Sequence, residues 1–214
     1  MKIIKFLKTD NDETLNALIK YLESGGIVFY PTDTVYGIGC LATNKKAINK
    51  IFKIKNVKPP KPLIVLINSY CMLHKYCYVS RIQEKYIRSI WPPTTKAACD
   101  PQCRYKKQPT TFILKSRGNL PKEVLGEDGS IAVRLPKNDF LLKIIAVVGE
   151  PIISTSLNLS GKKTLTDVKN IDRYFKKHKP DLVIDAGEIV GTRPSRIVDI
   201  RELKPDRKGI KIIR

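Results

Sequence analysis

The sequence predicts one α/β domain built on a mixed sheet. Three observations support that reading. Helical and strand patterns alternate along the chain without segregating into halves. No repeat at a solenoid period, low-complexity linker or composition break divides it. A chain of 214 residues is long enough for one core without disulfide or metal staples.

The elements follow in order. Ile3, Ile4 and Phe6 predict an opening strand. From Glu13 to Ser24, Leu15, Leu18, Ile19 and Leu22 share one helical face, and Gly25-Gly26 ends the helix. Ile27 to Tyr30 is a short buried strand, followed by the polar turn Thr32-Asp33-Thr34. Asn44 caps a helix reaching about Asn56, with Ala47, Ile48, Ile51 and Phe52 inward and Pro59-Pro60 as the stop. Leu63 to Ile67 is a strand. Ser80-Arg81-Ile82-Gln83 is a capping box that opens a helix towards Trp91. Thr111 to Lys115 and Ile131 to Leu135 are strands, and Asn138 caps a helix through Val148 that Gly149 closes. Ile152 to Thr155 is a strand that empties into a turn of hydroxyls and amides. Asp167 to His178 is a helix, and Leu182 to Asp185, Arg196 to Ile200 and Ile210 to Ile213 are short strands.

Forty Lys and Arg stand against twenty Asp and Glu, a net charge of +20. That excess favours phosphate-bearing partners such as nucleotides or RNA; surface lysine for solubility is the alternative. The charge is uneven. Between Asp33 and Glu84 there is no acid, and from Lys85 to Lys122 only Asp100. No apolar run approaches the roughly 20 residues that cross a bilayer, and no signal-peptide pattern opens the chain, so the expectation is a cytoplasmic protein without a membrane partner.

Several chemistries are excluded. There is no P-loop. Gly37-Ile38-Gly39-Cys40-Leu41-Ala42 matches a relaxed dinucleotide fingerprint, but the ribose-binding acid about 20 residues on is missing. Only two histidines exist, His74 and His178, which argues against a Ser-His-Asp triad. Cys71, His74 and Cys77 would share a helical face, and with Cys99 and Cys103 could form a zinc shell, yet the usual C-x2-C spacing is absent. Free thiols are the expectation, with no bound metal.

Three segments remain. Pro31-Thr32-Asp33-Thr34-Val35-Tyr36-Gly37 follows a buried strand, where ligands of open α/β sheets bind; a plain Ser/Thr turn is the alternative. Lys55-Asn56-Val57-Lys58-Pro59-Pro60-Lys61-Pro62-Leu63 holds lysines on a proline-stiffened backbone, suited to phosphate, or else forms a basic surface loop. Pro151 to Gly161 ends in Ser154-Thr155-Ser156-Leu157-Asn158-Leu159-Ser160, a neutral cradle for phosphate oxygens.

These segments, with Ala132-Val133-Arg134-Leu135-Pro136 and Ser195-Arg196-Ile197-Val198-Asp199, stand in the order found in the YrdC/Sua5 family, which the chain resembles over nearly its whole length, in the family's short form. The resemblance implies a twisted, open sheet with a basic concave surface. It also implies a threonylcarbamoyl-AMP synthase of tRNA modification. L-threonine and bicarbonate give a carbamate that attacks the α-phosphate of ATP, pyrophosphate leaves, and t6A transferase machinery passes the group to tRNA. By the same resemblance Lys55, Ser156 and Asn158 are catalytic, and Lys55, Lys61, Ser156, Thr164 and Ser195 bind ATP. Thr32, Arg134, Ser154 and Asp181 hold threonine, with Mg2+ bridging the phosphates. Two rival readings are a double-stranded RNA or tRNA-binding module without turnover and a carbamoyl-transferring relative. The chain departs from the family twice. Val57 stands where an arginine is usual, and Trp91-Pro92 is followed by an apparent loop insertion at about 93–108 before the Thr-rich strand.

Overall fold

Helices form where apolar spacing and capping chemistry coincide. A computed structural model of the chain describes residues 1–6, 11–57, 62–91, 108–159, 161, 163–169, 171–175, 178–189 and 194–214. Helix α1, Asn11–Glu23, buries Leu15, Leu18 and Leu22. In α2, Lys45–Lys55, the Asn44 side chain accepts the Ala47 N–H at 3.0 Å. That helix does not run on to the prolines. It stops at Asn56, whose left-handed backbone (φ 52°) returns its N–H to Lys53 O. The capping box opens α4, Arg81–Arg88, with both of its hydrogen bonds. Asn138 and Gly149 bracket α5, Asp139–Val148.

Two helical expectations change. Tyr70–Tyr76 forms α3, capped by Ser69, while Cys77 lies beyond it at the start of a strand. Cys71 is exposed and Cys77 buried, so the imagined metal face does not exist; Cys99 and Cys103 lie outside the described residues. No group of three or more His, Cys, Asp or Glu able to hold a metal occurs among the described residues. The helix expected over 167–178 shrinks to α6, Ile171–Tyr174. Asp167 takes the Lys169 N–H on its own side chain, and Thr166 O accepts from Ile189 N, so this stretch satisfies its polar groups outside a helix.

The strands are β1 (Lys2–Lys5), β2 (Val28–Tyr30), β3 (Gly37–Leu41), β4 (Ile64–Leu66), β5 (Cys77–Tyr78), β6 (Thr110–Ser116), β7 (Ser130–Arg134), β8 (Ile152–Ser156), β9 (Leu182–Asp185), β10 (Arg196–Asp199) and β11 (Lys211–Ile212). They form one open sheet in the order β1-β9-β2-β3-β8-β4-β7-β6-β10-β11, with β5 paired to β6. It is mixed: β9 is parallel to β1 and β2, β4 to β7 and β6 to β10, while β3 and β8 run antiparallel to their neighbours.

Register divides the residues between two faces. Phe29, Ile38, Thr155, Ile153, Val65, Val133 and Phe112 share one. Helical segments cover it: Phe175, just after α6, packs on Phe29 at 5.3 Å, and Tyr86 of α4 on Phe112 at 6.0 Å. The other face carries Gly37, Ser156, Ser154, Ile64, Leu66, Arg134 and Thr111. The first face is apolar core, and the second combines buried Tyr30, Leu66 and Ile152 with the polar residues left for chemistry.

Candidate active site

A cavity of about 290 Å³ opens on the polar face. Its first wall is the turn after β2. The Thr32 hydroxyl donates to Val35 O at 2.7 Å and accepts from the N–H groups of Thr34 and Val35. With that proton committed, the Thr34 hydroxyl donates to Thr32 Oγ1 across 2.9 Å and accepts from Arg134 at 3.2 Å. The segment is thus a Ser/Thr turn and a cavity wall at once. Arg134, at the end of β7, is only 6% exposed. Asp33 receives one guanidinium nitrogen at 2.5 Å and the Lys137 N–H at 3.1 Å, which locks the arginine's plane. Arg134 Nε is buried and has no partner.

The second wall is β8 and the turn beyond it. Gly37 and Gly39 of β3 leave space here. A Cβ on Gly37 would stand 3.0 Å from the Ser154 hydroxyl, and one on Gly39 would stand 2.5 Å from both Ile153 O and the Tyr30 hydroxyl. Tyr30, fully buried, fills the gap and donates to Ile153 O; burial raises its pKa. Ser154, Ser156 and Asn158 line the cavity. Behind them lies Lys55, the last residue of α2, 8% exposed. Its ammonium donates to Ser156 O (2.5 Å), Asn158 O (3.0 Å) and Asn158 Oδ1 (2.7 Å). All three protons therefore serve the turn. Ser156 Oγ donates to the same Asn158 Oδ1 at 2.8 Å. Burial without a carboxylate partner lowers the Lys55 pKa to about 8.

Thr164 and Ser195 close the far side. The segment bearing Thr164 is held by Leu165 N–H to Leu157 O and by the Tyr174 hydroxyl, which accepts from Leu159 N and donates to Lys163 O. Ser195 and Thr111 share a hydrogen bond of 2.9 Å. Arg214 completes the lining, an arginine that sequence reasoning missed. Strand β11 pairs with β10, and Arg214 Nε donates to Ser195 O at 3.2 Å. Burial, then the positive charge of Arg134, lowers its pKa. Among the described residues no Asp or Glu lines the cavity.

Seven predicted residues meet there: Thr32, Arg134, Ser154, Ser156, Asn158, Thr164 and Ser195. Lys55 supports them from behind. Asp181 does not join them. It precedes β9, and its carboxylate accepts the Ile27 N–H at 2.8 Å, at the start of β2 and away from the cavity at its end. Lys61 and the 93–107 part of the apparent insertion lie outside the described residues. Val57 packs against the core and carries no charge to the cavity.

Comparison with known proteins finds related chains. The Sua5_yciO_yrdC family model, described as "Telomere recombination", matches residues 20–214. A putative threonylcarbamoyl-AMP synthase of Methanocaldococcus jannaschii is 33% identical over 206 residues, covering 95% of this chain and 89% of that protein. A threonylcarbamoyl-AMP synthase of Psychromonas ingrahamii is 34% identical over 176 residues, 80% of this chain and 84% of that one. The crystal structure of P. abyssi Sua5 complexed with L-threonine superposes with a TM-score of 0.80 at 25% identity over the whole of this chain, which spans 57% of that longer protein.

Proposed function

We propose a function from one premise: the chain belongs to the Sua5–YciO–YrdC family. It is a nucleotidyltransferase that makes L-threonylcarbamoyl-AMP from L-threonine, bicarbonate and ATP, releasing pyrophosphate, and supplies t6A transferase machinery acting on tRNA. The names of its relatives and the threonine held by Sua5 support the reading. The observation that carries it is a cavity joining an Asp33-locked arginine, a second arginine and a clamped Ser-Asn turn, with no acid in its lining among the described residues.

Each feature fits a step. Arg134 receives the threonine carboxylate beside the Thr32–Thr34 turn, and Ser154 contacts its polar atoms. The carbamate forms only from the neutral amine. A carboxylate beside that nitrogen would hold it as an ammonium, so an acid-free lining suits the step. Water leaves as the amine adds to bicarbonate. A carbamate oxygen then forms a bond to the α-phosphorus of ATP while the bond to the pyrophosphate oxygen breaks. The growing negative charge lies between Arg214 and the hydroxyls of Ser156 and Ser195, with Thr164 against the nucleotide. Lys55 acts by fixing the turn that presents Ser156 and Asn158. Mg2+ would be held largely by phosphate oxygens, with the cavity-lining Ser156 hydroxyl oxygen beside it, and would supply neutralisation of the phosphate charge.

In this reading residues 1–214 are one family domain with an insertion at 93–108, and Lys61 supports the nucleotide. The reaction runs in the cytoplasm beside tRNA. No helix among the described residues is long and apolar enough to cross a membrane. The test is pyrophosphate release by purified protein given ATP, Mg2+, threonine and bicarbonate. Release that requires both threonine and bicarbonate is expected. Its absence overturns the enzyme reading.

A further inference from the structure

The helix-covered face holds a second concavity, unrelated to the one above. Ser195 points to the cavity face, so the next residue, Arg196, points to the other. There, two adjoining hollows of about 280 and 370 Å³ lie between α4 and the turn joining β10 to β11. Lys85 and Lys204 line the first, Arg196 lines the second, and Tyr86 and Arg207 line both.

Three features mark it as built for an anion. Among the described residues no Asp or Glu lines either hollow. Three neighbouring acids are committed elsewhere, Glu84 to Arg88 and His74, Asp199 to Arg201 and Asp206 to Lys208, while Glu202 stands in the same turn without lining either hollow. The side chains of Lys85, Arg196, Lys204 and Arg207 make no hydrogen bond or ion pair among the described residues, and Arg196 Nε is buried without a partner. Arg207 adopts φ 63°, a left-handed conformation that favours glycine over an L-residue. The turn holds it there through Lys204 N–H to Lys208 O and Arg207 N–H to Lys204 O. A glycine would be easier at this position, but it would remove the one cation common to both hollows.

We propose that this groove binds the phosphodiester backbone of an RNA strand. A single phosphate can meet one end of it. A strand can meet Lys85 and Lys204 at one end and Arg196 at the other, passing Arg207 and the Tyr86 ring between them. The groove also gives work to cations that the synthase cavity, with its two arginines, leaves unused. The choice of RNA rests on the proposed tRNA-linked function; the anion chemistry does not.

The test compares wild type with the triple variant Lys85→Ala, Lys204→Ala, Arg207→Gly. Arg207→Gly relieves backbone strain, so it keeps the fold. A tRNA transcript binds the variant at least about ten-fold more weakly at low salt, and the slope of log affinity against log salt shrinks by about two. Threonine-dependent pyrophosphate release without RNA stays at the wild-type level, because none of the three residues touches the cavity. Unchanged affinity and slope overturn the proposal. Displacement of the transcript from wild type by millimolar inorganic phosphate overturns it in favour of a small-anion site. Equal displacement by polyglutamate overturns it in favour of an acidic protein. If neither protein releases pyrophosphate, the synthase reading fails while the binding measurement still decides the groove.

Discussion

Replacing Lys55 by methionine separates the energetics of the site from its chemistry. Methionine keeps the length of the side chain and removes the ammonium. Ser156 O and Asn158 O lose the ammonium, but Ser156 O keeps the Asn158 N–H at 2.9 Å, so the loss is about 1–3 kcal/mol in all. Asn158 Oδ1 keeps the Ser156 hydroxyl. Against that loss stands the relief of burying a charge. The shift from 10.5 to about 8 corresponds to about 3 kcal/mol. The fold should therefore lose no more than about 3 kcal/mol, while kcat/KM falls at least about 100-fold because the turn presenting Ser156 and Asn158 loosens. The pH dependence sharpens the test. The folded pKa lies below the unfolded one, so from about pH 8 to 10.5 the unfolded chain binds more protons and this residue's contribution to stability rises with pH. Below pH 8 both states are protonated and the penalty is complete. Between pH 7 and 9.5 wild type should gain about 2 kcal/mol relative to Lys55→Met. Urea unfolding of both proteins at both pH values reads this as a double difference. That subtraction removes the opposing losses from Cys40 and Cys77, whose thiols burial pushes up to about 12. A double difference of zero or of opposite sign refutes the reasoning.

Three further outcomes follow from the same geometry. Arg214→Ala should lower kcat/KM about 10- to 100-fold, the worth of one charge-assisted hydrogen bond, and cost about 1 kcal/mol in urea unfolding because Ser195 O loses this donor; full activity would remove the second arginine from the site. Asp181→Ala should cost about 1–2 kcal/mol in urea unfolding by orphaning the Ile27 N–H and leave the KM for threonine unchanged; a raised KM would return Asp181 to the binding site. Gly39→Ala should destabilise by about 1–3 kcal/mol, because its Cβ meets Ile153 O and the Tyr30 hydroxyl at 2.5 Å, and a neutral result would mean that β3 and β8 yield easily.

Capping chemistry was the most legible part of the fold. Asn44, Ser80 and Asn138 each announced a helix start, because a short polar side chain before an apolar period has one economical use. Strand β3 escaped notice because Gly37 and Gly39 lack strand propensity; their merit is the room they leave for Tyr30. Helix α6 was overextended because 167–178 has helical composition, but Asp167 folded a local turn instead. Most cavity residues were legible because they cluster in short motifs. Arg214 was not, since only the pairing of β11 with β10 carries it beside Ser195. The Asp33–Arg134 pair spans 101 residues and no local pattern encodes it.

Arg134, paired with Asp33, and Arg214 face a cavity with no acid in its lining among the described residues. Before substrate arrives, that lining favours anions from solution. Sulfate, phosphate or citrate in a purification buffer should settle there, raise the melting temperature by mass action and compete with ATP. Preparations in chloride or acetate should give the lower melting temperature and the tighter apparent nucleotide affinity. The choice of buffer salt is thus an experimental variable in every assay described above.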